Sequence, residues 1–290
     1  MARILGGITT SHIPAVGHAI ANELFEDPYW KPFFAGYPPI HEWLAKHKPD
    51  VVINIYNDHG LGLFLDKMPT FAIGAALEYQ NADEGWGLKQ LPPFKGDAPL
   101  SWHIIEGMVE DEFDICSCQE LPVDHGFTVP MQLFWPGLNE NPNMPRAIPI
   151  SANTVQHPIP TLKRALDFGK SLRKAVLSWP EDVKVVVLGT GGLSHQLDGE
   201  RAGFINKDFD TYCMDKIVSE PEELTKISRK ELVRQAGAQG TEFLMWMMMR
   251  GALGEKVNLV NKNYHLPISN TGAGTMLMEC MDEEMVQAAE

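Results

Sequence analysis

Short runs of apolar, β-branched residues punctuate this chain, and the strongest of them end in polar or glycine-rich sequence. Asp50–Tyr56 (DVVINIY) is nearly continuous in apolar character, the pattern of a strand buried on both faces. Lys184–Leu188 (KVVVL) and Arg3–Ile8 predict two further strands. Ala147–Ile150 predicts a shorter one, which Pro149 should confine to a sheet edge because proline cannot donate to a ladder. Elsewhere the period changes. Leu162, Leu166, Gly169, Leu172, Val176 and Trp179 fall on one stripe and predict a helix over Thr161–Trp179, stopped by Pro180. Ser219-Glu-Pro-Glu222 and Ser228-Arg-Lys-Glu231 have capping-box spacing and predict two helix starts. Thr241–Arg250 (TEFLMWMMMR) is apolar almost all round and predicts a deeply buried helix.

Strands alternating with helices predict an α/β fold. The expectation is a single domain over residues 1–290, with a central, mostly buried sheet flanked by helices and a site at the strand C-terminal ends. Asn81–Leu100 is rich in Gly, Pro and charge and reads as a long loop, a lid or an interface arm.

Composition narrows the partners. With 44% hydrophobic residues the chain can bury a core, and a formal net charge of -14 repels nucleic-acid phosphates and anionic lipid. No run is long and apolar enough for a transmembrane helix, and no secretory signal is visible at the start. Cys116 and Cys118 form C-x-C rather than a C-x-x-C pair, and together with Cys213 and Cys280 they read as thiols of a reducing cytoplasm.

Three of the predicted strands run into a loop that carries a histidine: His12 in Gly7–Pro14, His59 in Ile55–Gly60, and His195 in Leu188–His195. Loops there line the ligand crevice of an open α/β sheet, so the three can converge. His12 and His59 are metal-ligand candidates, although two imidazoles alone do not name the metal. Asn57 or Asp58 can orient a ligating imidazole by accepting its other N–H, and Asp58 can equally be a turn residue. Glu242 opens the buried helix. It is either an exposed first-turn carboxylate or the third member of a 2-His-1-carboxylate triad, a set that suits non-haem Fe(II). His125, between turn residues, is a loop histidine or an active-site acid. Gly189-Thr-Gly-Gly192 lacks the phosphate-loop pattern, and neither a G-x-S-x-G elbow nor H-E-x-x-H occurs.

Across nearly the whole chain, the stretches GITTSHIP (7–14), VINIYNDHG (52–60), PTFAIG (69–74), ADEGWG (82–87), VDHGFTVP (123–130), GTGGLSHQL (189–197), RAGFINKDFD (201–210), MWMMMRGAL (245–253) and YHLPISNT (264–271) carry a collinear resemblance. The sequence resembles the class III (type II) extradiol ring-cleavage dioxygenases, and within them the catalytic β subunits of the protocatechuate 4,5-dioxygenase type. The resemblance implies Fe(II) held by His12, His59 and Glu242. It makes His195 the catalytic base, His125 a second histidine near the substrate hydroxyl, and Ser269 and Asn270 the grip on the substrate carboxylate. It implies extradiol cleavage of a catechol carboxylate by O2. The leading substrate is protocatechuate, opened at the 4,5 bond to 4-carboxy-2-hydroxymuconate semialdehyde; gallate or 3-O-methylgallate is the alternative. A non-catalytic binding or regulatory relative of the same fold is the reading from another class. Because single-chain relatives carry a small-subunit region beyond the point where this sequence stops, the resemblance also implies a separate small α subunit in an α2β2-type hetero-oligomer.

Overall fold

In the computed structural model, residues 1–85 and 90–281 are described. The strands are β1 (Arg3–Thr10), β2 (Val51–Tyr56), β3 (Phe71–Gly74), β4 (Glu78–Tyr79), β5 (Phe94–Lys95), β6 (Cys116–Cys118), β7 (Arg146–Ala152), β8 (Lys184–Thr190), β9 (Val257–Ile268) and β10 (Thr271–Cys280). The helices are α1 (Pro14–Ala21), α2 (Lys31–Phe34), α3 (Pro38–His47), α4 (Ala98–Glu110), α5 (His125–Phe134), α6 (Leu162–Leu177), α7 (Lys207–Ser219), α8 (Pro221–Leu224), α9 (Arg229–Ala236) and α10 (Phe243–Ala252). Among the described residues no helix is long and apolar enough to cross a membrane.

Eight strands form one mixed sheet in the order β6-β3-β7-β2-β8-β1-β10-β9, while β4 and β5 pair separately. The four central strands β7, β2, β8 and β1 are mutually parallel. Their carboxyl ends, Ala152, Tyr56, Thr190 and Thr10, therefore lie along one rim. Alternation within the apolar strands explains why they read as continuous. Ile53, Ile55, Val185 and Val187 join the core under α4, α6 and α10, whereas Val52, Tyr56, Val186 and Leu188 join a second core under α1, α3 and α5. Helices α6 and α10 approach closely at Gly169 and Gly251: a Cβ at Gly169 would lie 2.0 Å from Met248 O, and one at Gly251 2.3 Å from Leu166 O. Each large side chain buried in these layers contributes ~1.5–3 kcal/mol relative to exposure.

The predicted α6 forms over Leu162–Leu177, with Thr161 capping it by accepting from Arg164 N. Three expectations change. Strand β7 is interior, not an edge: it lies between β3 and β2. Its ladder with β3 takes in only Ile150, Ser151 and Ala152, so Pro149 falls outside that pairing and needs no donor there. Ser219 caps nothing. It is the last residue of α7, and α8 starts after Glu220 with no side-chain cap, whereas Ser228 does cap α9. The segment from 81 to 100 is also not one continuous loop. Asn81 bridges to Val123, Phe94–Lys95 pairs with β4, and Ala98 begins α4 behind Asp97; residues 86–89 lie outside the described residues.

Candidate metal centre

The parallel strand ends deliver His12 after β1, His59 after β2 and His195 after β8 to one rim, as the spacing predicts. Glu242 comes from a 3-10 turn, Gln239–Glu242, just ahead of α10 rather than from the helix itself. That turn packs it against the β8 loop, where Oε2 accepts from Gly192 N at 2.8 Å. Gly191 permits this approach. Its φ is +111° and a Cβ there would lie 2.7 Å from Glu242 Cβ.

Glu242 is only 6% exposed. Its Oε1 lies 3.6 Å from His12 Nε2 and 4.0 Å from His59 Nε2, and its Oε2 lies 3.8 Å from His195 Nε2. Burial alone would raise this carboxyl, but His12, His195 and His59 hold it well below the usual carboxylate range. His125 completes the cluster. Its ring stacks on His59 with centroids 3.9 Å apart and lies 5.7 Å from His12. His12, His59 and His125 each offer a ligand atom, and these atoms lie within 4.8 Å of one another.

All four imidazoles are wired alike. His59 Nδ1 meets Asp124 Oδ2 at 2.9 Å, His125 Nδ1 meets Glu84 Oε2 at 2.5 Å, and His195 Nδ1 meets Leu193 O at 3.1 Å. Carboxylates and carbonyls only accept, so each Nδ1 carries the hydrogen. His12 Nδ1 faces Thr190 Oγ1 at 3.0 Å. That hydroxyl lies 3.2 Å from both Ile55 O and Gly126 O, so its proton goes to a carbonyl and its lone pair accepts from His12. In the neutral ring every Nε2 is then a lone-pair donor. His12 Nε2 is buried and makes no hydrogen bond among the described residues. An orphaned buried nitrogen of this kind costs about 1–3 kcal/mol. A divalent cation among His12, His59 and Glu242 would satisfy it, and the imidazole and carboxylate donors fit such an ion.

The supports behind the rings differ from the sequence expectation. Asp58 does not reach His59: its carboxylate accepts the N–H groups of Gly60, Leu61, Gly62 and Leu63 and so shapes the loop, the turn role. Asn57 does not accept from the ring either; its Nδ2 lies 3.2 Å from His59 Nε2, as donor to that lone pair. The orienting carboxylate is Asp124, the N-cap of α5, which takes Gly126 N with Oδ1 and both His59 N and Nδ1 with Oδ2. Burial would raise Asp124, yet His59 brings it down to about 2. Asp124 and Glu84 are 65 and 41 residues from the histidines they hold, a separation no local spacing rule reports.

Behind His195 sits a second buried carboxylate. Asp210 accepts from Ser194 N, Ser194 Oγ and Tyr264 OH at 2.9, 2.7 and 2.7 Å. Thr271 bridges to His195, and the preceding residues Ser269 and Asn270 form the exposed β9–β10 turn with φ of +49° and +56°. A cleft of about 950 Å³ between α6, α8 and α10 shares none of these residues.

The chain belongs to the family of the catalytic LigB subunit of aromatic ring-opening dioxygenase, which it matches over residues 6–276, a span holding every residue of the site. It is 40% identical over 204 residues to the gallate dioxygenase of Pseudomonas putida KT2440, covering 70% of this chain and 59% of that protein. It is 29% identical over 188 residues to the 2,3-dihydroxyphenylpropionate/2,3-dihydroxicinnamic acid 1,2-dioxygenase of Photorhabdus laumondii, covering 65% and 55%. The chain thus spans under three-fifths of the length of these relatives. An uncharacterized protein of Escherichia coli K12 shares the fold, with a TM-score of 0.57, 10% identity, and coverage of 94% and 99%.

Proposed function

We propose that the chain is the catalytic part of an Fe(II)-dependent extradiol dioxygenase that opens the ring of a catechol carboxylate. The observation that carries this is the set of inward Nε2 atoms of His12 and His59 around one buried carboxylate, Glu242, whose Oε1 lies within 4.0 Å of both. Two neutral imidazoles and one carboxylate would hold the metal. Bound there, Fe(II) would supply Lewis-acid and oxygen-activating chemistry to a catechol.

The remaining side chains supply proton handling and grip. His195, its Nδ1–H fixed on Leu193 O, presents Nε2 as general base to a substrate hydroxyl. His125 presents Nε2 beside His59, on which its ring stacks. Ser269 and Asn270, at the turn beside His195, would hold the substrate carboxylate.

The 40% identity to a gallate dioxygenase favours gallate over protocatechuate as the substrate, while the collinear motifs keep protocatechuate as the second reading. A separate small α subunit belongs to the same proposal. Phe64, Leu65 and Leu197, exposed in the loops that follow His59 and His195, would give it apolar surface. The thiols of Cys116, Cys118 and Cys213, none of them in a disulfide, suit a cytoplasmic setting.

Oxygen uptake by protein reconstituted anaerobically with Fe(II) tests this, with gallate, 3-O-methylgallate and protocatechuate, each with and without a candidate α subunit. Turnover of gallate in preference to protocatechuate is expected. No uptake with any catechol under either condition would sink the proposal.

A further inference from the structure

Glu84 enters the site from the segment between β4 and β5. Ala82 N donates to Val123 O and Val123 N to Gln80 O, so this stretch runs beside the chain that leads into α5. The pairing sets Glu84 against His125. Oε1 accepts from the backbone N of His125 at 2.6 Å and Oε2 from its ring Nδ1 at 2.5 Å. The arrangement repeats what Asp124 does for His59, in which one carboxylate takes the main-chain and ring N–H of the same histidine. The Glu84 side chain is 8% exposed. Burying a carboxylate so deeply is costly unless strong hydrogen bonds offset it, and these two bonds do so.

We propose that Glu84 is a positioning residue for His125: it fixes the imidazole as the Nδ1–H tautomer and so aims Nε2 at the substrate hydroxyl as a proton acceptor. The inference rests on the ring-cleavage reading for its kinetic consequence, and on geometry alone for the tautomer. The clamp is two-point, so it sets both the ring's rotation and its hydrogen position. A glutamine at 84 can still accept the backbone N–H, but its amide N–H₂ then faces Nδ1. That contact is satisfied only if Nδ1 loses its hydrogen, which moves to Nε2 and removes the acceptor from the cavity.

Glu84→Gln in the reconstituted enzyme should therefore lower kcat roughly tenfold to a hundredfold, the usual size for loss of an orienting carboxylate, with KM and iron content little changed. Combined with His125→Phe, it should add no further loss, because a residue that acts through His125 has nothing left to act on. Nitrogen-15 NMR of labelled histidine in metal-free protein reads the tautomer directly. The wild type should show His125 protonated at Nδ1, and Glu84→Gln should shift it to Nε2. This arm holds even if the chain turns over no catechol, so failure of the ring-cleavage reading and failure of the Glu84 role are distinguishable. An unchanged kcat, additive losses in the double variant, an unchanged tautomer, or loss of iron on Glu84→Gln would each overturn the assignment.

Discussion

The carboxylate of Asp124 grips His59 twice, with Oδ2 lying 2.7 Å from its backbone nitrogen and 2.9 Å from its ring Nδ1. The same side chain caps α5 through Oδ1, so one residue joins the helix start to the orientation of a proposed metal-ligand imidazole. Asp124→Asn keeps the cap but not the charge or the full ring contact. Metal affinity should fall about tenfold to a hundredfold, with little loss of fold stability. Chelator competition measures this, and an unchanged affinity would remove Asp124 from the site.

His195 differs from the proposed metal ligands in what its removal should do. Its Nε2 faces the far oxygen of Glu242 at 3.8 Å, and its Nδ1–H is held by Leu193 O. His195→Phe should keep iron and lower kcat by roughly 10²–10⁴-fold, the range for loss of a general base. Iron analysis and single-turnover rates on the same preparation decide it; a variant that loses its metal would make His195 a ligand instead.

Gly191 gives a steric test of how Glu242 is seated. Alanine there would be strained at φ +111° and would press on Glu242 Cβ. Gly191→Ala should destabilise the fold by about 1–3 kcal/mol and weaken metal binding together. Urea unfolding and chelator titration read the two effects, and wild-type values in both would contradict the packing described.

Asp210 makes stability depend on pH. Burial outweighs the hydrogen bonds from Ser194 and Tyr264 and pushes its carboxyl up from 3.8 to about 6. The folded state thus binds this proton more tightly than the unfolded chain does. The group's contribution to stability is full below about pH 4 and fades as pH rises, to be lost above about pH 6, a change of roughly 3 kcal/mol. Relative to Asp210→Asn, the wild type should lose that much stability between those limits in urea titrations. Parallel profiles for the two proteins would contradict it.

Much of this site is legible in the residue order because the strands are short, apolar and followed at once by their histidines. His12, His59 and His195 sit where that pattern puts them, and the buried FLMWMMMR helix forms as its composition predicts. What the order does not reveal is pairing across the fold. Pro149 is interior because its neighbour β3 stops short of it, which no property of 147–150 encodes. Asp58 beside His59 looks like its orienting partner, yet its oxygens are used up on four backbone N–H groups, and distant Asp124 takes the ring. Glu84 is hidden the same way, in a loop whose charge and glycine content resemble any solvated excursion. Glu242 reads as a helix-start residue until the β8 loop is folded onto it.

His12, His59 and Glu242 are proposed together to hold a ferrous ion. Metal analysis of wild-type protein and Glu242→Ala, both purified and reconstituted with Fe(II) without air, tests it most directly. Stoichiometric iron in the wild type and depletion in the variant are expected, because two imidazoles alone leave the buried cation without its counter-charge. Full iron occupancy in Glu242→Ala would contradict the account.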